Sequence, residues 1–280
     1  SFTIYPIPNA GGTVNNTAVL CNGGTTDIVL QSTVPSTDFT WTVANAPAVT
    51  WTNAPSGGTI ANGNGISIAQ LLQHTASFPT NVTYTITPTG PLPTSCPGAA
   101  ITRTVTVNPS GQVNDTADQV LCAGAATTAV NFTTNRTGGT TTYSWTNSNT
   151  SIGLAAASGT GNIPSFTAVN AGTSPASTTI TVTPYFEGCA GTPQTFTITV
   201  NPAGQVNDPG DQLRCNGSST AAVNFSTNRT GGTTTYAWSN SNTSIGLGAN
   251  GTGNISSFTA LNSGTSPVTA TITVTPSFEG

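Results

Sequence analysis

The sequence has no lysine and no methionine, a single histidine, and charged residues at only 4% of its 280 positions. Each shortage excludes something. Four arginines against a formal net charge of −4 leave no basic patch for a nucleic-acid backbone. The lone histidine, His74, has no partner pattern around it, so a solvated or hydrogen-bonded side chain is a simpler reading than a Ser-His-Asp site. No apolar run approaches the ~18 residues of a membrane span, and no signal peptide opens the chain. The glycines of Gly159-Thr160-Gly161-Asn162 and Gly251-Thr252-Gly253-Asn254 lack the Lys-Ser/Thr of a phosphate loop and read as turns. Helical periodicity is also missing; the nearest candidate, Ile66–Leu72, is short and glycine-flanked.

What the sequence does have is repetition. Asn131–Leu154 returns about 93 positions later as Asn224–Leu247, changed only at Thr133/Ser226, Ser144/Ala237 and Thr146/Ser239. A period of that length means an array of similar domains, and a lone catalytic centre fits an array poorly. Low charge with abundant Gly, Ser, Thr and Asn could suggest disorder. The alternation of Val, Ile, Phe, Tyr and Trp with Thr argues for strands instead. In the second repeat these are expected near Asp118–Cys122, Thr127–Thr133, Thr140–Thr146, Ser165–Val169, Thr178–Phe186 and Thr195–Val200. One face of each is apolar and the other mostly Thr, the pattern of two antiparallel sheets packed face to face. The fold class is therefore all-β, a tandem array of antiparallel β-sandwich domains.

Asn108-Pro109 and Asn201-Pro202 mark the boundaries, since proline ends a ladder and stiffens a connector. The division read here is 1–8, 9–109, 110–202 and 203–280. Residues 1–8 match Thr195–Pro202 and so resemble the last strand of a preceding repeat; 9–109 is a divergent domain. Phe278-Glu279-Gly280 matches Phe186-Glu187-Gly188, so the third repeat is expected to lack its final strand. Both ends are read as cut from a longer array. An alternative is that Phe2–Pro8 completes the third domain of a neighbouring copy, giving a head-to-tail filament.

The cysteines follow the repeat. Cys21, Cys122 and Cys215 lie near the start of their units, and Cys96 and Cys189 lie before the last strand. Disulfides Cys21–Cys96 and Cys122–Cys189 are expected, with the partner of Cys215 beyond Gly280. Closing a loop of about 67 residues adds about 4 kcal/mol in the chain-entropy model. Disulfides place the chain outside the reducing cytoplasm. With one histidine and no CxxC, a structural zinc site is excluded.

The eight acids are grouped rather than scattered. Asp115 and Asp118 follow one Asn-Pro connector, and Asp208 and Asp211 follow the next. These four are candidate calcium ligands, because Ca²⁺ takes six to eight oxygens and stiffens linkers in some extracellular arrays. The competing reading is Asp that hydrogen-bonds its own turn or pairs with Arg136 or Arg229. No other cofactor is expected. Tyr143, Trp145, Tyr236 and Trp238 alternate on their strands and read as core. Trp51 has no counterpart in the sister repeats and is the candidate exposed contact. Almost no Lys or Glu guards the strand edges.

The run of a leading Cys, NF-x-TNRTGGTTTY-x-W, SIGL, GTGNI, SFTA, GTSP, TITVTP, GC-x-GTP and TFTITVNP resembles the PKD-like, immunoglobulin-like repeats of very large Bacteroidota surface proteins. Those proteins leave the cell by type IX secretion and include adhesins of the gliding-motility type. The resemblance spans nearly all of the second and third repeats and is looser in the first, where SIGL, GTGN and GTSP are absent or changed. It implies an extracellular, non-enzymatic stalk or adhesive array, meeting a surface or polysaccharide, and assigns no catalytic residue. It also implies O-glycosylation at Asp-Ser/Thr followed by a small residue, which Asp115-Thr116-Ala117 matches at Thr116. Two other readings stay open: a filament subunit assembled by strand exchange, and a carbohydrate-binding accessory module of a secreted enzyme.

Overall fold

The computed structural model describes residues 1–14, 18–44, 46, 48–52 and 66–279, with backbone alone at 12–14, 51, 52 and 66. The chain forms two compact units. One comprises Ser1–Asp115, Phe132–Ser144 and Val182–Gln194; the other comprises Thr116–Asn131, Trp145–Thr181 and Thr195–Gly280. Compactness therefore cuts through the second sequence repeat instead of between repeats.

The first unit begins with strands β1 (Gly11–Val14), β2 (Val19–Cys21), β3 (Gly24–Thr25), β4 (Ile28–Gln31) and β5 (Asp38–Val43). It continues through β6 (Val49–Thr52), β7 (Ile66–Ile68), β8 (Leu71–His74), β9 (Thr80–Thr89) and β10 (Ile101–Asn108). They make a four-stranded sheet β2-β10-β9-β5 and two three-stranded sheets, β1-β4-β7 and β3-β8-β6. The expected alternation is present: Val82, Tyr84 and Ile86 of β9 are buried while Thr83 and Thr85 between them are not. From β5 come Phe39 and Trp41, from β10 Val105 and Val107, and from the smaller sheets Ile28, Leu30, Ile68 and Leu72, all in one core. Each such side chain, once buried, contributes about 1.5–3 kcal/mol. Tyr84 is completely buried, its hydroxyl donates to Gln70 Oε1 at 2.9 Å, and burial pushes its pKa up to about 12.

Among the described strands, two ladders depart from the antiparallel rule. β2 runs parallel to β10, with Cys21 beside Asn108. The second repeat repeats this: β11 (Gln119–Cys122) lies parallel to the strand Gln194–Asn201, with Cys122 beside Asn201. The leading cysteine of a repeat thus sits at the finishing end of that repeat's last strand.

The other strands of the second repeat are β12 (Thr141–Asn147), β13 (Ser158–Thr160), β14 (Ala176–Phe186), β15 (Cys189–Ala190) and β16 (Gln194–Asn201). Their sheet order is β11-β16-β14-β12-β13, with β15 beside β14. The third repeat has β17 (Thr234–Asn240), β18 (Asn250–Thr252) and β19 (Ile272–Phe278) in the order β18-β17-β19. The expected strands Thr127–Thr133 and Ser165–Val169 reduce to single bridges, Ala126 with Thr167 and Val130 with Ile163. Their backbone groups pair only at intervals, with Val130 N donating to Ile163 O at 2.9 Å and the reverse bond at 3.0 Å.

Trp145 is buried, as its alternation with Tyr143 predicts. Its indole lies on Gly159, where an added Cβ would stand 2.3 Å from Cζ2. Trp238 lies on Gly251 in the same way. Gly159 and Gly251, read as turn residues in the sequence, lie instead on β13 and β18, where the missing side chain makes room for tryptophan.

Candidate functional site

The feature built twice from the same residues is a joint between consecutive repeats. Its donor is the turn Asn135-Arg136-Thr137-Gly138-Gly139. Thr137 N donates to Ser77 O at 2.9 Å, and Arg136 Nη1 donates to Ala76 O at 3.2 Å. Gly138, at φ 73°, sets its open face 3.2 Å from Pro79 Cδ, measured from an ideal Cβ. A residue with a real Cβ would combine a strained φ with a tight contact, so glycine is required there. The second joint repeats every contact. Thr230 N donates to Thr173 O at 2.9 Å, Arg229 Nη1 to Gly172 O at 2.9 Å, and Gly231, at φ 77°, faces Pro175 Cδ at 3.1 Å. Arg229 Nε also donates to Ala203 O of the connector at 2.8 Å. Each joint lies within one compact unit.

The turn is held from its own side as well. Gln112 Oε1 accepts from Thr134 Oγ1 and Asn135 N at 3.0 and 2.7 Å, and Gln205 Oε1 does the same for Thr227 and Asn228 at 3.1 and 3.0 Å. Glu187 Oε1 accepts from Thr140 N at 2.5 Å, and Glu279 Oε1 accepts from Thr233 N. These carboxylates, matched in sequence, close the hairpin beside the turn. The receiving loop is equally regular: Asn170 Nδ2 donates to Ser174 O and Asn170 Oδ1 accepts from Gly172 N, both at 2.9 Å.

The disulfide corrects the sequence reading. Cys21 is bonded to Cys189, with Cα atoms 5.4 Å apart, while Cys96, Cys122 and Cys215 are free thiols. Neither Cys21–Cys96 nor Cys122–Cys189 forms. Strand direction is the reason. Cys96 precedes the start of β10, whereas Cys21 lies beside its last residue, Asn108. At ~3.3 Å per residue the eight-residue strand holds them more than ~20 Å apart, far outside disulfide reach. In the second repeat, Cys122 likewise lies beside the last residue of β16, Asn201, while Cys189 precedes that strand in the sequence. What brings Cys21 to Cys189 is the connector: Asn22 N donates to Asn108 O at 2.8 Å, and three residues on, Gly111 N donates to Cys189 O at 3.0 Å. The bond therefore links one repeat to the next, at the joint that Arg136 clasps.

The remaining candidates fall elsewhere. Asp118 Oδ1 accepts from Thr197 N at 2.6 Å, and Asp208 Oδ1 accepts from Gly210 N at 2.9 Å, both turn or edge bonds. Asp115 and Asp211 are exposed. Among the described residues no group of three or more His, Cys, Asp or Glu side chains gathers as a cation site would require. Thr116 is half-buried. Trp51 lies on β6 opposite Leu72, but its side chain falls outside the described residues. His74 is buried, with Nε2 2.9 Å from Thr80 Oγ1; burial and the nearby Arg136 charge hold its pKa down. Its partner is a threonine hydroxyl of the next strand, β9.

Composition and spacing missed the joint. A signal was there: the Asn-Arg-Thr-Gly-Gly turn is identical in the second and third repeats and absent from the first.

The PKD-like domain family matches residues 18–111 and 119–204. The chain belongs to this family. A search of curated proteins found no match. Among solved structures, the PKD-like repeats are similar to three that cover most of the chain at low identity. Against DIP-gamma IG1+IG2 the identity is 8% and the TM-score 0.37, over 70% of this chain and 98% of that one. Against mouse Cadherin-23 EC22-24 the values are 11% and 0.37, over 97% of both. Against chicken CNTN1 FN1-FN3 they are 8% and 0.27, over 98% and 93%. Among the described residues, no helix is long and apolar enough to cross a membrane.

Proposed function

We propose that these PKD-like repeats form a non-enzymatic, covalently jointed segment of an extracellular bacterial surface adhesin, serving as its stalk or adhesive array. The observation that carries this reading is the repeated joint. Two successive turns clasp the preceding repeat through identical backbone bonds, and the first joint also carries Cys21–Cys189. Joints of that kind transmit tension and keep repeats in a fixed order, which a spacer needs and a single catalytic domain does not. The disulfide favours an oxidising compartment outside the cytoplasm. The resemblance to type IX-secreted Bacteroidota adhesins supports the same location.

The test is binding of the purified chain to a glycan panel, to polysaccharide and to abiotic surfaces, with and without EDTA. Saturable binding assigns adhesion to the repeats themselves, with Trp51→Ala the first variant to make. Loss of binding in EDTA brings Asp115, Asp118, Asp208 and Asp211 forward as cation ligands. Absence of binding throughout leaves a pure spacer.

A strand-exchange filament is supported by a separate observation. Phe2 and Ile4, which match the buried Phe196 and Ile198, are exposed, and among the described residues β19 has β17 as its one ladder partner. Size measurement over a concentration series separates the two: a filament subunit polymerises, and polymerisation fails in Phe2→Ser.

A further inference from the structure

We propose that the end face of the third repeat, formed by Gly264-Thr265-Ser266-Pro267 and Cys215, is the receiving half of another joint. Its occupant is a further repeat of this kind, carrying an Asn-Arg-Thr-Gly-Gly turn and a hairpin cysteine. In such an array each leading cysteine is bonded to the hairpin cysteine of the next repeat, Cys122 and Cys215 included.

The receiving loop has already taken its bound shape. In the occupied joint, Asn170 holds its loop through Gly172 N and Ser174 O, each at 2.9 Å. Asn262 holds Gly264 N and Ser266 O at the same 2.9 Å. The occupied loop offers Gly172 O and Thr173 O to the incoming turn, and Pro175 to its glycine. Gly264, Thr265 and Pro267 stand in those three places.

The cysteine register follows from the same geometry. Around Cys21, Asn22 N bonds Asn108 O, and the connector glycine Gly111 lies on Pro184, an ideal Cβ there meeting Pro184 O at 2.3 Å. Around Cys122, Ala123 N bonds Asn201 O at 2.8 Å, and Gly204 lies on Pro276 with the same 2.3 Å approach. Cys189 directly follows Phe186-Glu187-Gly188. A cysteine directly following Phe278-Glu279-Gly280 therefore meets Cys122 as Cys189 meets Cys21. The step joins two thiols into one disulfide, and their two electrons and two protons pass to a disulfide oxidant by thiol exchange.

The experiment lengthens the chain with its own sequence, placing a second copy of Cys189–Gly280 after Gly280. Free thiols are blocked, the protein is digested without reductant, and linked peptides are identified by mass spectrometry. The expected map contains Cys21–Cys189 and a bond from Cys122 to the first added cysteine, with Cys96 and Cys215 blocked. Amide exchange at the copied Thr230 is expected to be as slow as at Thr230 itself. A bond from Cys215 to the first added cysteine overturns the proposal, as does a free Cys122 in a protein whose Cys21–Cys189 bond is intact. That bond reports that the lengthened chain has folded. Fast exchange at the copied Thr230 overturns the assignment of Gly264–Pro267 as the receiving loop.

Discussion

Replacing Gly159 by alanine tests whether Trp145 fills the sandwich or is available as a platform for a ligand. The backbone at Gly159 is ordinary strand, so alanine brings no conformational strain of its own. Its new methyl, however, would stand 2.3 Å from Trp145 Cζ2 and 2.7 Å from Cε2. The indole belongs to a buried residue and cannot swing outward without vacating the core. Forced overpacking of this kind costs about 1–3 kcal/mol. Loss of glycine's freedom in the unfolded chain offsets about 0.4–1 kcal/mol of that. The net is a destabilisation of about 1–2 kcal/mol, which lowers Tm by roughly 4–8 °C for each kcal/mol in a domain of this size. Calorimetry is the suitable assay, because an array need not unfold in one step. Gly248→Ala is the control: an added Cβ there meets nothing within 4 Å, and the expected change is neutral or slightly stabilising. If Gly159→Ala behaves like Gly248→Ala, the indole is not seated where the packing argument puts it. A Trp145 that faces solvent, and could meet a carbohydrate, would then be the better reading.

Arg229→Ala should loosen its joint more than Arg136→Ala, because Arg229 donates to both the receiving loop and the connector. With each of the two lost bonds worth about 1 kcal/mol, exchange at the Thr230 amide should quicken by about thirtyfold in Arg229→Ala; equal effects in the two variants would contradict the clasp. Breaking Cys21–Cys189, which spans a sequence separation of 168, removes up to about 5 kcal/mol in the chain-entropy model. The urea midpoint of the first unit should therefore fall in reductant, and an unchanged midpoint argues against the bond. His74 supplies a pH dependence. Its folded pKa lies below the ordinary 6.5, so below about pH 6.5 the unfolded chain binds the extra proton and stability falls, with a plateau above. His74→Gln should flatten that slope in denaturation midpoints between pH 5 and 7.5; a wild-type protein that gains stability on acidification would refute the assignment.

How much was legible in the sequence depended on the range of the physics. Strand positions such as Thr141–Asn147 and Ala176–Phe186 follow from apolar-Thr alternation, which any pleated backbone sorts onto two faces. The repeat was plain in the residues themselves, as was the burial of Trp145 opposite a threonine-rich face. The segments around Val130 and Ile163 carried the same alternation yet pair at single bridges, because ladder formation depends on what the neighbouring chain offers.

Cysteine pairing was not local in that sense. Position within a repeat puts Cys21 with Cys96 and Cys122 with Cys189, and that inference assumes two residues of one unit lie at one end of it. A parallel ladder, Cys21 beside Asn108, sends the leading cysteine to the far end of the domain, where the next repeat begins. Strand direction is set by which edges meet across the folded sandwich, and no residue type near Cys21 announces it. The role of Arg136 and Arg229 was hidden for the same reason: each donates to backbone carbonyls, Ala76 O and Gly172 O, which carry no side-chain signature. By itself the sequence determined the repeat and most of its strands; only the tertiary structure decided how one repeat is fastened to the next, because fastening runs through backbone groups and chain direction.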